Sequence, residues 1–254
     1  AAVCLAVYGL NLTHSFVWDD GYNVVENQQI RQMSNVPGFF TEAWGASADN
    51  AHSRELNTNY YRPVALTSYT VDYALFGLNA WGFHLTNVLM HLGCCILVLL
   101  LGWRLYPSQG FERVGVLAAA LIFAVHPVHT EVVNVITYRT DMLAAFFTLW
   151  ALILWIKATE ETHASRRLWM QCMGVPLLYL LGVLSKEMAF TVPLVIGAYE
   201  VLVRREKVRR LFIKLAPLGV VALGYLLIRK MLLTPSPMVY FDINWPTGLP
   251  VAAD

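Results

Sequence analysis

The sequence predicts an all-α polytopic membrane protein: a bundle of about seven transmembrane helices, with a long first extracytoplasmic loop carrying membrane-surface helices. Three observations predict it. Hydrophobic residues make up 57% of the 254-residue chain and charged residues 14%, with a mean hydropathy of +0.51. A soluble domain is about 45–50% apolar and about 25% charged, so the excess apolar surface needs lipid. Apolar runs recur near span length, and the basic residues gather in alternate loops.

The expected spans lie near residues 1–16, 81–105, 114–125, 142–156, 170–184, 188–203 and 215–232. Several fall short of the roughly 20 residues a span needs, so polar-looking ends such as residues 130–136 are expected to continue helices. The first run begins at Ala1, without an initiator Met, and fails near Asn11, which predicts a chain cut within or just before its first span. Arg104 with Arg113, then Lys157, Arg166 and Arg167, then the cluster from Arg204 to Lys214 mark three loops as cytosolic by the positive-inside rule. These charges read as topology signals. The opposite side receives residues 17–80, the turn at 126–141, Ser185-Lys186-Glu187 and everything after Thr234. Within the long loop, residues 35–44 and 62–75 carry apolar groups at helical spacing and read as helices lying along the membrane face. The expected organisation is one membrane module at 1–233, with its extracytoplasmic loop at 17–80, followed by an extracytoplasmic segment at 234–254.

Composition also excludes. A net charge of +1 with no basic stripe gives no reason to expect a nucleic-acid partner. Cys4, Cys94, Cys95 and Cys172 sit in apolar stretches without metal-ligand spacing and read as four buried thiols. No repeat supports a repeat-built transporter, and the charges crowd one face instead of the midplane. The sequence leaves the oligomeric state open.

That face holds the chemistry. Asp19 and Asp20 form a carboxylate pair where the first span ends; such a pair is expensive to desolvate and is a functional candidate. Arg62, Arg139 and Lys186 could hold the phosphate of a lipid, since guanidinium forks match phosphate oxygens and a lysine adds a point charge. The alternative is local pairing, Arg139 with Asp141 and Lys186 with Glu187. A carboxylate that takes a hydroxyl proton, beside cations aimed at a departing phosphate, is the minimum kit for moving a sugar from a lipid phosphate to a hydroxyl. His126, His129 and Glu131 could ligate zinc, form a helix-start hydrogen-bond cluster or touch substrate; the spacing fits no standard zinc helix, and no metal is expected. His84 and His91 read as packing groups or span-to-span hydrogen-bond partners.

At these residues the chain resembles the TMTC family, transmembrane O-mannosyltransferases with tetratricopeptide repeats within the GT-C membrane glycosyltransferases. The matching stretches are Phe16-Val17-Trp18-Asp19-Asp20, Tyr61-Arg62-Pro63-Val64, the run from Gly82 to His91, the run from Phe123 to Glu131, Arg139-Thr140-Asp141 and Leu184-Ser185-Lys186-Glu187. They come in family order between about Asn11 and Lys230. The resemblance implies a GT-C-like fold and a multi-pass protein of the endoplasmic reticulum membrane with a lumenal site, or of the bacterial inner membrane for a prokaryotic source. It implies transfer of mannose from dolichyl phosphate mannose to Ser or Thr of a protein acceptor, notably cadherin domains. By that likeness Asp19 is the base of an inverting displacement and Asp20 the second acid. Arg62, Arg139 and Lys186 meet the donor phosphate, and His126, His129, Glu131, Asp141 and Glu187 support the site. No cofactor is implied; the lipid-linked sugar is a substrate. The alternatives are a GT-C transferase using another polyprenyl-phosphate sugar or acceptor, and a non-catalytic membrane scaffold that keeps the fold and would tolerate loss of Asp19. Two features depart from the family: the long repeat array is not in this sequence, and Tyr138 precedes Arg139 where a small residue is expected.

Overall fold

The computed structural model describes residues 2–44, 60–107 and 110–233. Its described secondary structure is helical throughout. Helix α1 (Ala2–Tyr8) tightens into a 3₁₀ turn at Gly9–Thr13. After the loop come α2 (Val36–Phe39), α3 (Pro63–Phe76), α4 (Ala80–Leu105), α5 (Phe111–Val125) and α6 (His129–Asn134). Then follow α7 (Arg139–Glu160), α8 (Ala164–Trp169), α9 (Val175–Val183), α10 (Val192–Ala198) and α11 (Val208–Leu232). A π turn at Met170–Gly174 joins α8 to α9. A 3₁₀ turn at Glu187–Thr191 and a π turn at Tyr199–Val203 flank α10. Among the described residues three helices are long and apolar enough to cross a membrane by length and composition: α4, α7 with the turn before it, and α11. The other expected spans are present as shorter or interrupted helices.

Local chemistry sets the boundaries. Pro63 opens α3, where its missing N–H costs nothing, and Gly77 closes it at φ 60°, a left-handed conformation that a Cβ would strain. Asn79 caps α4 by accepting from the Trp81 backbone N–H at 3.1 Å. In α7 Asp141 sits in the first turn and Lys157 in the last, each complementing the helix dipole. Gly102 lets α4 approach α5: a Cβ there would stand 2.5 Å from Val116 Cγ1.

The helices pack around two main cores. One joins α7, α9, α10 and α11 through Trp155, Tyr179, Val183, Ile196, Leu218 and Tyr225. The second joins α3, α4 and α7 through Tyr69, Phe83, Ile136 and Leu143, and anchors the loop by Val24, Ile30, Phe39 and Trp44. Large apolar groups also point outward, Leu194, Phe212 and Met231 among them. In lipid such faces need no cover, so close packing and polar contacts, not water exclusion, decide which helices meet.

Two ends emerge. Arg104 at the end of α4 pairs with Glu160 at the end of α7. Nearby in the chain, Trp155 Nε1 donates to buried Glu200 at 2.9 Å, and Lys214 bridges Glu200 and Glu206 at 2.8 and 2.7 Å. The three basic loops thus gather at one end. Asp20, Arg62, Asp141 and Lys186 are tied together at the other.

Three expectations need correction. The helix expected at 35–44 is one turn only, Val36–Phe39, because Pro37 can serve only its start. The helix expected at 62–75 exists as α3, but it buries Ala65, Leu66, Tyr69, Thr70 and Asp72, so it is packed into the bundle and is no simple surface helix. Cys172 is only partly buried, unlike the other three cysteines.

Candidate active site

Asp19 is exposed and Asp20 is wholly buried, although they are adjacent. The backbone explains the split. Trp18 has φ 50°, a left-handed conformation costing a non-glycine residue about 1–3 kcal/mol, and it sets a tight turn ahead of the pair. Asp20 compensates. Its Oδ1 accepts from the Thr137 N–H at 2.8 Å and the Thr137 hydroxyl at 2.9 Å. Its Oδ2 accepts from the N–H groups of Ile136 and Val17 at 3.3 and 3.2 Å. Asp20 therefore clamps its loop to the turn before α7, and Asp19 is left facing outward.

What Asp19 faces is a cavity of about 370 Å³ lined by Asp19, Tyr22, Asn23, Trp44, Tyr60, Arg62, Thr137, Tyr138, Thr140 and Lys186. Three separate parts of the chain bring their charged groups to it. The turn carrying Tyr60-Tyr61-Arg62 is fixed by Trp44 N–H to Tyr60 O at 2.8 Å and Tyr61 hydroxyl to Phe40 O at 2.9 Å. Arg62 lies 4.5 Å over the Tyr60 ring, and its Nε and Nη2 donate to Glu187 Oε2 at 3.3 and 2.8 Å. Val64 N–H donates to Leu184 O at 3.3 Å, which seats this turn on the Ser185-Lys186 turn. Lys186 Nζ meets Asp141 Oδ2 at 2.6 Å.

Both cations thus pair with acids across elements, and Lys186 takes Asp141 instead of the neighbouring Glu187 considered from sequence. A lysine has three donors and an arginine five, so each pairing aims its cation while other N–H groups remain to meet an anion. Both pairs keep part of their side chains in contact with solvent, between 16% and 28%.

Arg139 departs from its expected role as a donor-phosphate ligand. Its side chain is fully buried and paired with Asp72 at 2.6 Å. Its Nε donates to Asn87 Oδ1 at 2.7 Å, Nη2 to Phe83 O at 2.9 Å and Nη1 to Ser68 at 3.4 Å. The ring of Tyr69 lies 5.1 Å away. Burial pushes the Asp72 carboxyl up, and Arg139 and the Thr86 hydroxyl oppose that push. Arg139 is the tie between α3, α4 and α7; a guanidinium with this many partners inside the bundle is not turned toward the cavity.

The histidine cluster lies apart as well. His126, His129 and Glu131 flank the start of α6, where the Val128 N–H donates to His126 Nδ1 at 3.2 Å and the His126 and His129 rings stand 6.1 Å apart. This is the helix-start arrangement. His91 makes a span-to-span contact, Nε2 to Ala124 O at 3.1 Å. Tyr138 lines the cavity beside Asp19 and Thr140, whereas Glu131 is not among the lining residues. The aromatic walls Tyr22, Trp44 and Tyr60 were not marked as site residues in the sequence. Tyr60 adjoins the Tyr61-Arg62-Pro63-Val64 stretch; Tyr22 and Trp44 reach the cavity by folding alone.

Comparison with known proteins adds an independent line. Over 206 residues, 80% of the chain, it is 32% identical to the protein O-mannosyl-transferase TMTC2 of Mus musculus, covering 23% of that protein. Over 273 aligned residues, 96% of the chain, it is 31% identical to TMTC4 of Homo sapiens, covering 35% of it. Over 183 residues it is 33% identical to the protein O-mannosyl-transferase F38B6.6 of Caenorhabditis elegans, covering 71% of the chain and 24% of that protein. The chain spans about a quarter to a third of the length of these relatives. No family model and no solved structure matches it.

Proposed function

Because the chain belongs to the TMTC family through this membrane region, we propose that it carries the catalytic part of a protein O-mannosyltransferase. The donor is a polyprenyl phosphate mannose, dolichyl phosphate mannose in the endoplasmic reticulum, and the acceptor is a Ser or Thr hydroxyl of a protein. The observation that carries this reading is the meeting of Asp19, Arg62 and Lys186, from three separate loops, on one cavity with aromatic walls.

Each part has a task. The Asp19 carboxylate takes the acceptor hydroxyl proton as the hydroxyl oxygen bonds to the anomeric carbon. The bond from that carbon to the phosphate oxygen breaks on the opposite face, so the configuration inverts. The electron pair leaves with the polyprenyl phosphate, whose developing charge Arg62 and Lys186 meet. A positioned base contributes roughly 10²–10⁴-fold, and cations aimed at developing charge contribute a comparable share. Tyr22, Trp44, Tyr60 and Tyr138 offer apolar faces for the sugar, and the lipid tail stays in the bilayer. Asp20, Glu187 and Asp141 hold the working groups in place.

The test is transfer of labelled mannose from polyprenyl phosphate mannose to a Ser/Thr-containing acceptor by membranes carrying the protein. Transfer that depends on both Asp19 and Lys186 supports the reading. Normal transfer with either residue removed would sink it.

A further inference from the structure

We propose that Cys4, His91 and Cys95 form a structural site for one divalent thiophilic metal ion, zinc by its chemistry, which staples α1 to α4. The sequence hides this site because Cys4 lies far from the other two. On α4 the remaining pair is one turn apart and shares a helix face; α1 brings Cys4 onto that face.

The geometry is specific. Cys4 Sγ lies 3.8 Å from Cys95 Sγ, and Cys95 Sγ lies 3.6 Å from His91 Nε2. The three ligand atoms all fall within 4.8 Å of one another, and all three residues are buried. Zinc bonds of about 2.3 Å to sulfur and about 2.0–2.1 Å to nitrogen, set at a tetrahedral angle, put two sulfurs about 3.8 Å apart and a sulfur and nitrogen about 3.6 Å apart. The Cys4–Cys95 and Cys95–His91 separations match these values, and the third, Cys4 to His91, lies within 4.8 Å. Charge agrees too: Ala124, Leu92 and Phe123 pack against the two thiols, and two thiolates cancel a divalent ion, so the filled site adds no net charge to an apolar interior.

Binding releases the two thiol protons as the metal–sulfur bonds form. His91 Nε2 must offer its lone pair, so its proton moves to Nδ1 and the 3.1 Å contact with Ala124 O gives way. A water or His129, whose ring lies 5.4 Å from that of His91, completes the fourth position. The consequence is mechanical. Helix α1 leads into the loop bearing Asp19 and Asp20, so fixing α1 to α4 steadies the approach to the site. This inference stands on the cluster alone and not on the proposed transferase activity.

The test is metal content of the protein purified in detergent without chelator, measured by mass spectrometry, followed by Co²⁺ exchange. We expect about one zinc per chain and a thiolate-to-cobalt charge-transfer band in the near ultraviolet. Cys4→Ser and Cys95→Ser should weaken zinc affinity at least about tenfold in chelator competition, since losing even a ligand's supporting group costs about 10- to 100-fold in affinity. Cys94→Ser should keep the metal. Wild-type protein that takes up neither zinc nor cobalt would overturn the proposal, as would a Cys4–Cys95 disulfide in the native protein or equal loss in Cys94→Ser. If the serine variants fail to fold, the wild-type zinc count and cobalt spectrum still decide.

Discussion

Arg139 Nη1 meets Asp72 Oδ2 at 2.6 Å with the two side chains 0% and 4% exposed, which joins the start of α7 to the middle of α3 inside the bundle. The pair would be costly if it stood alone, because desolvating two charges consumes most of their attraction. Asn87, Ser68, Phe83 and Thr86 supply the additional hydrogen bonds that make it tolerable. Its place is behind the cavity, where it sets the turn that Asp20 grips.

Asp72→Asn should therefore destabilise the bundle by about 3–5 kcal/mol, the scale seen when one partner of a buried pair is removed. Arg139→Lys should destabilise it too, since a lysine cannot reproduce the fork that reaches Asn87, Phe83 and Asp72 together. Thermal unfolding in detergent checks both. Donor affinity measured on folded Arg139→Lys should match wild type; a tenfold loss would return Arg139 to the phosphate site.

Asp20→Asn should behave as a loop-anchor defect. Among the described residues this carboxylate accepts four hydrogen bonds and donates none, and an amide would turn an N–H toward other N–H groups. A buried unsatisfied donor costs about 1–3 kcal/mol. Proteolysis of the 17–44 segment should accelerate and turnover should fall. Turnover lost with no change in protection would instead give Asp20 a chemical role.

Lys186→Met should weaken polyprenyl phosphate mannose binding by about 1.5–3 kcal/mol, one charge-assisted contact, or roughly ten- to a hundredfold. Lys186→Arg should recover much of it. The readout is a donor titration, and equal affinity in wild type and Lys186→Met would remove Lys186 from the donor site.

Sidedness is testable with impermeant thiol reagents. Ser34→Cys, near the Asp19 end, and Arg209→Cys, at the basic end, should label from opposite faces of sealed membranes, Arg209→Cys from the cytosol. Labelling from the same face would dismantle the topology on which the site rests.

The helical bundle was legible because lipid demands long apolar runs and leaves them bare in the sequence. The site was legible only where charged residues interrupt such runs: Asp19, Arg62 and Lys186 stand out for that reason, and the cavity gathers them. Pairing was not legible. Local reasoning considered Arg139 with Asp141 and Lys186 with Glu187, whereas Arg139 found Asp72 on α3, and Lys186 and Arg62 took Asp141 and Glu187 respectively. An apolar helix such as α3 hides one acid well, and no periodicity announces which arginine will need it. The Cys4, His91 and Cys95 cluster escaped for a similar reason, since only two of its three residues share a helix and Cys4 lies far away in sequence.

The most direct measurement is mannose transfer by Asp19→Asn beside wild type, with donor binding measured on the same preparations. The substitution keeps the shape and removes the base. The account predicts turnover lower by roughly 100-fold or more, with donor affinity within about twofold of wild type. Turnover near the wild-type level, with binding intact, would contradict it and take Asp19 out of the chemistry.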